Sequence, residues 1–348
     1  MALRMSPRSK SIVSFFLLPR ALAGLFSCKG EVHHIEYAYA YGTNWEIHLY
    51  EGTKADAEAI SDYIRTSSQV LDLDARHCQN GIYALNHQEE IEASPFLIEA
   101  IQLGQRIESQ SHGAYSISIG ALTKAWLENL EQGKILEPTS VASYLEQAQA
   151  TTVTVQGSKA KKEGSGEIDL GSVGKGLCLD HVKAQLTEKG IRKYLINGGS
   201  SSLLIGENSS SDGSTKVHLA DAKGRYFNAK NIAVSNSAIS RQRYEVDGHV
   251  YSHIVDARTG IPELAYDALC LAGNGAGLLD GLSTAYLALG KDYANELENQ
   301  GIQVAFMKGG EVVYESAGFL SIKGNPALFI KNRFCHEKGL DILKNDGV

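Results

Sequence analysis

Asp280-Gly-Leu-Ser-Thr284 places a carboxylate and two hydroxyls within a single short stretch. In a helix Asp280 and Thr284 project from one face, with Ser283 on its rim. A carboxylate with hydroxyls is a hard-oxygen set of the kind Mg²⁺ takes when it keeps waters and shares ligands with a phosphate. The same residue types also serve as an N-capping Asp and a Thr bonded back into its own helix. Gly273, Gly275 and Gly277 just upstream permit close backbone approach and shift the balance toward a site.

A second constellation is Asp169-Leu-Gly-Ser-Val-Gly-Lys-Gly176. Its glycine spacing matches neither the Walker A loop nor the dinucleotide G-x-G-x-x-G fingerprint. Glycines opening a helix N-terminus, with amides pointing outward and Lys175 adding a full charge, still suit a phosphate. A glycine-eased turn with a solvated lysine fits the pattern equally. In Tyr251-Ser-His253-Ile-Val-Asp256-Ala-Arg-Thr-Gly260 a histidine ends a strand ahead of a D-x-x-T-G turn. Imidazole is the natural near-neutral base and needs an orienting acceptor; Asp256 orients either His253 or the turn that follows. With 11 histidines in the chain, one in a suggestive place weighs little alone. Asn197-Gly-Gly199-Ser200 reads as a tight turn, and Ser235-Asn-Ser sits at a strand end.

Residues 35–50 alternate apolar and polar around a glycine and predict strand, turn, strand. Apolar side chains at helical spacing predict a helix over 54–74. Ser94-Pro95 starts another, to about 110, and Pro138-Thr139 a third, to about 149. Residues 113–126 open on glycine and end in a short helix. Strands are expected at 150–156 and 167–170, separated by a Lys- and Gly-rich hairpin loop over 157–166. Gly171 to Gly190 reads as a helix with a glycine stop. Further strands are expected at 194–197, 202–205, within 216–256, and at 266–272, 302–308 and 311–315. Helices are expected at 278–289 and 292–300. Strands and helices mix without strict βαβ alternation, which predicts an α+β fold.

The chain's 348 residues leave ample room for a core. With 43% hydrophobic and 21% charged residues it has the composition of an ordinary folded protein. A net charge of -7 repels a polyphosphate backbone and makes nucleic-acid binding a poor expectation. The five cysteines (Cys28, Cys78, Cys178, Cys270, Cys335) form no CxxC pair and no zinc spacing. Near the N-terminus Arg4, Arg8 and Lys10 precede the apolar run 11–19, which is too short to span a bilayer. Ala21-Leu-Ala23 fits a cleavage site, and Leu25-Phe-Ser-Cys28 a loose lipobox. An export signal over 1–28, with acylation at Cys28 as one variant, is the expectation.

The order of these pieces over roughly residues 38–331 resembles the ApbE family of FAD:protein FMN transferases. The motifs that carry the resemblance are Tyr41-Gly-Thr43, Leu85-Asn86, His112-Gly-Ala-Tyr-Ser-Ile-Ser-Ile-Gly120 and the 169–176 stretch with Asp180. Asn197-Gly-Gly199, Ser235, Ser252-His253-Ile-Val-Asp256 with Thr259-Gly260, and Asp280 with Thr284-Ala285 complete the series. The resemblance implies a single α+β catalytic domain over 29–331, T-fold-like, with mixed or antiparallel sheets and packed helices, followed by a peripheral tail at 332–348. It implies FAD as substrate, lined by Tyr41, Ala114, Tyr115, Ser116, Asp169, Lys175 and Ile254. Mg²⁺ would be surrounded by Ser172, Asp280, Ser283 and Thr284, and His253 would be the base that deprotonates the acceptor hydroxyl. The implied partner is an acceptor flavoprotein, a redox-complex subunit carrying a Thr or Ser outside the cytoplasm. The products are an FMN-modified protein and AMP.

Several positions depart from the family pattern. Tyr115-Ser116-Ile117-Ser118 replaces aromatic-Asp-Pro-Thr; Ser200 replaces an Asp, Asn236 a Gly, Ala257 a Pro, and Tyr41 a Met. Ser283 stands where a second acidic metal ligand is sometimes found. Fewer carboxylates weaken metal binding, because ligand charge tunes affinity. His253, Lys175, Asp280 and Thr284 all remain. An FAD pyrophosphatase, a non-catalytic FAD-binding lipoprotein, and a chain that is itself an FMN acceptor are the rival readings.

Overall fold

The computed structural model describes residues 33–208, 212–240, 242–262, 264–317 and Phe319. The export signal expected over 1–28, with Cys28, and the tail expected over 332–348 lie outside the described residues. The chain opens on a hairpin of β1 (His34–Ala40) and β2 (Thr43–Leu49). Next comes α1 (Lys54–Val70), whose N-cap Thr53 forms a capping box with Asp56. A short α2 (Ile82–His87) and β3 (Glu90–Glu92) lead to α3 (Pro95–Gln110). Ser94 caps α3 through the Leu97 amide and Pro95 occupies its first turn. Then follow α4 (Gly120–Leu130), α5 (Pro138–Gln149), β4 (Thr152–Gln156), β5 (Lys159–Glu163) and α6 (Gly171–Glu188).

The second half is richer in strands: β6 (Tyr194–Gly198), β7 (Ser202–Ile205), β8 (Thr215–His218), β9 (Tyr226–Ala229) and β10 (Ile232–Ala238). These are followed by β11 (Arg243–Val246), β12 (His249–Ser252) and β13 (Ala268–Gly273). The chain then forms α7 (Ala276–Leu289), a 3-10 turn (Lys291–Tyr293), α8 (Ala294–Glu298), β14 (Gln303–Lys308) and β15 (Glu311–Glu315).

One antiparallel sheet, ordered β1-β2-β6-β7-β10-β13-β14-β15, organises the fold. Its two-residue alternation sorts side chains into two cores. On β13, Leu269 and Leu271 join the helical side, and Ala268, Cys270 and Ala272 the opposite side. The helical side buries Ile60 and Ile64 of α1, Leu97 and Ile101 of α3, Val173 and Leu177 of α6, and Leu279 and Leu282 of α7. The opposite face is covered by the β8–β9 hairpin through Val217 and Phe227. A third, smaller core joins α4 and α5 to β11–β12. There Trp126 stacks on Tyr251 at 5.7 Å and donates its ring N–H to the Gly260 carbonyl at 2.7 Å. This is the α+β arrangement expected from the sequence, with antiparallel pairing throughout its named strands.

Three local expectations are corrected. Residues 159–163, expected in a loop, form β5, the middle strand of the small sheet β3-β5-β4. Its lysines look unlike a strand, but Ala160 is fully buried, and Lys159 and Lys161 pair with Glu90 and Glu163. The strand expected at 167–170 is reduced to one bridge, between Glu167 and Ile119. The helix expected over 292–300 is split into the 3-10 turn and α8. The element α2 was not anticipated; its six residues are too few to show a period. No described helix is long and apolar enough to cross a membrane.

Candidate active site

The site is built on the crossing of α6 and α7. A Cβ on Gly176 would lie 2.1 Å from the Ala276 carbonyl oxygen, so the helices meet at a distance only glycine permits. Because α7 begins at Ala276, Asp280 sits inside the helix, and the capping reading of this residue falls. Its side chain is 5% exposed. One carboxylate oxygen accepts the Gly176 N–H at 2.9 Å. The other accepts the hydroxyls of Ser202 at 2.8 Å and Ser235 at 3.1 Å. Ser283, wholly buried, donates back to the Asp280 carbonyl at 2.9 Å. It also shares hydrogen bonds with Ser235 at 3.1 Å and Ser237 at 2.8 Å. Thr284 makes only long contacts, 3.4 Å to the Asp280 carbonyl and 3.3 Å to the Ser237 hydroxyl.

The β6–β7 turn delivers part of this shell. Gly199 and Ser200 both hold positive φ, 64° and 62°, and a Cβ on Gly199 would lie 2.1 Å from the Thr43 hydroxyl. The turn is pinned by the Ser200 N–H donating to the Asn197 side chain at 2.7 Å. It thereby brings Ser201 to the cleft and Ser202 to Asp280.

At the start of α6 the expected outward amides are largely spent within the chain. Gly171 N–H donates to the Asp169 carboxylate at 2.8 Å. Val173 and Gly174 donate to the Leu170 carbonyl, each at 3.1 Å. The charge left to meet an anion here is the Lys175 ammonium. Burial pushes the Asp169 carboxyl above its ordinary range, opposed by the Gly171 N–H and by Lys175. Tyr115 exchanges a 2.7 Å hydrogen bond with Ser172. Burial, with Asp169, Glu108 and Asp280 nearby, raises its phenol far above the ordinary value and outweighs the Ser172 hydrogen bond.

His253 follows β12 directly. Ser252, 1% exposed, accepts the Ile254 N–H at 3.1 Å. Its own N–H donates to the Pro262 carbonyl at 3.0 Å. Asp256 is committed to Arg258, which donates through its Nε at 2.9 Å and one Nη at 2.6 Å. Asp256 therefore orients the turn after the histidine, as one of its two readings held.

These elements enclose one cleft of about 330 Å³. It brings together Ala114, Tyr115, Ser116, Asp169, Ser172, Lys175, His253, Ile254, Asp280 and Thr284. Its lining combines apolar side chains, Ala114, Ile119, Leu127, Ile254 and Val255, with the lysine, the carboxylates and the hydroxyls. That mixture suits a ligand that carries both a flat ring system and phosphates. Two expected residues lie outside the lining. Tyr41 donates its hydroxyl to Ser67 at 2.9 Å and packs against Gly174 of α6. Ser283 lies in the hydroxyl layer behind Asp280. Sequence reasoning missed Thr123, Leu127, Ser201 and Gln242 in the lining and Ser202 behind it, and gave Asn236 and Ser237 only as part of a strand-end stretch. Period-two alternation along β7 and β10 marks faces for the strand residues among them, but nothing local marks a serine as part of a site.

Among the described residues no group of three or more His, Cys, Asp or Glu is placed to hold a metal ion, so the cleft contains no closed protein cage. It does fit an open Mg²⁺ site completed by substrate oxygens and water. A carboxylate offers about four lone-pair directions, and Asp280 has three of them taken. Thr284 and Ser172 add hard oxygens on the same cleft.

The ApbE family model matches residues 41–306. A protein of Klebsiella pneumoniae (strain 342) named FAD:protein FMN transferase is 24% identical over 303 residues, covering 80% of this chain and 83% of its own length. One of the same name from Treponema pallidum (strain Nichols) is 23% identical over 338 residues, covering 86% and 92%. Among solved structures, the ApbE protein of Thermotoga maritima superposes with a TM-score of 0.73 at 20% identity, over 83% of this chain and 98% of that one. The flavin transferase ApbE of Vibrio cholerae gives 0.68 at 17% identity, over the same 83% and 98%. At such identities the structural likeness shows a shared fold.

Proposed function

This chain belongs to the ApbE family, and from that premise we propose that it moves FMN from FAD to a Thr or Ser hydroxyl of an acceptor flavoprotein, releasing AMP, with Mg²⁺ as cofactor. The observation that carries the reading is that Lys175, His253 and Asp280, far apart in sequence, line one cleft.

FAD enters with a ring system against apolar side chains of the lining, Ala114, Ile254 and Val255, which exclude water. Its diphosphate lies by Lys175, whose ammonium meets the charge that develops on the bridging oxygen as its bond to the FMN phosphorus breaks. Asp280, Thr284 and Ser172 would hold Mg²⁺. When bound, the ion neutralises phosphate oxygens and the leaving oxygen. His253 takes the proton from the incoming hydroxyl as that oxygen bonds to the FMN phosphorus. AMP leaves with the bridging oxygen. The backbone bonds around Ser252 and the Asp256–Arg258 pair hold the histidine's loop, so that approach of the acceptor needs little reordering.

The acceptor is proposed to be a redox-complex subunit outside the cytoplasm. Residues 1–28 are proposed as the export signal that takes this chain there, with Cys28 as the site of a lipid anchor, ahead of one catalytic domain over 29–331. The test of the reaction is AMP release from FAD and Mg²⁺ with and without an acceptor flavoprotein. Release that requires the acceptor supports transfer. Equal release without it assigns FAD hydrolysis instead, and no release in either case removes the catalytic reading.

A further inference from the structure

We infer that Asp180 is a positioning residue for the Asp280–Thr284 centre, acting through the N-terminus of α7. The inference rests on the metal-dependent reading above.

The N-cap of α7 is Gly275, and no side chain of α7 caps its first turn. The first amides of a helix have no partner within it and need one from elsewhere. Asp180, on α6, provides it across the interface. One of its oxygens accepts the Ala276 N–H at 2.8 Å and the other the Gly277 N–H at 2.9 Å. Its negative charge also sits at the positive end of the α7 dipole.

The contact is one half of a reciprocal clasp. Asp180 follows Gly176 by one helical turn, and Asp280 follows Ala276 by one helical turn, so each helix presents an amide and a carboxylate on one face. The Gly176 amide goes to Asp280, and the Ala276 amide goes to Asp180. Between the two bonds the backbones touch at Gly176 and Ala276–Gly277. Asp180 lies outside the cleft lining and touches no group that would meet the substrate. What it fixes is the position of α7 along α6, and with it the separation of Asp280 and Thr284 from Lys175 and Ser172.

Residues that orient metal ligands typically change affinity about 10- to 100-fold when lost. Mg²⁺ is titrated calorimetrically into the FAD-bound protein without acceptor, in the wild type and in Asp180→Asn. The variant is expected to bind Mg²⁺ roughly 10-fold or more weakly, while its FAD affinity in chelator stays within about twofold, as expected for a residue that touches no ligand. A folded variant with wild-type Mg²⁺ affinity overturns the inference. If Asp180→Asn does not fold, hydrogen exchange on the wild type decides. Coupling is reciprocal, so Mg²⁺ must slow exchange of the Ala276 and Gly277 amides, and unchanged exchange refutes the role. A wild-type protein that takes up no Mg²⁺ overturns the metal reading and this inference with it.

Discussion

The amide of Ala257 donates to the carbonyl of Ala114 at 3.1 Å. This bond ties the loop that carries His253 to the segment that supplies Tyr115 and Ser116, both of which line the cleft. It uses an N–H that proline lacks, and 257 is a position where this chain departs from the family's usual Pro. Restoring the family residue is therefore expected to harm this protein. Ala257→Pro should cost about 1 kcal/mol in urea unfolding and lower FMN transfer several-fold. Unaltered transfer and stability would show that the bond contributes nothing.

His253→Ala removes the proposed proton acceptor but none of the apolar side chains that line the cleft. General-base catalysis is worth roughly 10²- to 10⁴-fold, and transfer should fall by that order. FAD affinity, followed by flavin fluorescence, should stay near the wild-type value. A variant that transfers at the wild-type rate would remove His253 from the mechanism.

Gly176→Ala tests the helix crossing. The added Cβ meets backbone at 2.1 Å, which cannot rotate away, so α6 and α7 must separate. Overpacking of this kind costs on the order of 1–3 kcal/mol. Separation also stretches the Gly176–Asp280 bond, so Mg²⁺ affinity should fall together with stability. A lower denaturation midpoint with unchanged Mg²⁺ binding would uncouple the crossing from the proposed metal site.

Asp169 supplies a pH dependence. Its folded-state pKa is raised chiefly by burial, so the native state holds the proton more tightly than the unfolded chain. Stability must then fall as pH rises from the ordinary carboxylate range through the raised value, and this carboxylate remains a cost at neutral pH. Asp169→Asn keeps an oxygen for the Gly171 N–H and removes the charge. It should raise the melting temperature at pH 7 by roughly 2 °C per kcal/mol gained. The gain should vanish below the ordinary Asp range, where the wild type is itself protonated. Melting curves at pH 7 and pH 3.5 check the sign, and a loss at pH 7 would contradict it.

Chemistry carried by local motifs was legible in the sequence. Lys175, Asp280 and His253 each stood in a short pattern of glycines, hydroxyls or strand ends, and the order of those patterns carried the family resemblance. The helical spacing of α1 and the Ser94-Pro95 start of α3 were equally local signals. Contacts made across the sheet were not legible. Ser202 and Ser237 resemble any strand serine until β7 and β10 are laid beside α7. The partner of Asp180 lies nearly a hundred residues away, at Ala276. Strand β5 was hidden because its lysines look unlike a strand, and the Glu90 that pairs Lys159 comes from another strand, about seventy residues away. Tyr41 and Ser283 were expected at the site, but a hairpin turn directs Tyr41 to Ser67 and a helix face directs Ser283 to the serines beside Asp280.

In the proposed reaction this cleft joins FMN to another protein's hydroxyl. Intact mass spectrometry of an acceptor flavoprotein, incubated with the chain, FAD and Mg²⁺, measures that bond directly, with AMP counted in the same sample. The account expects one FMN added per acceptor, one AMP released for each, and neither product in excess chelator. An acceptor of unchanged mass alongside accumulating AMP, or equal labelling with the metal removed, would contradict it.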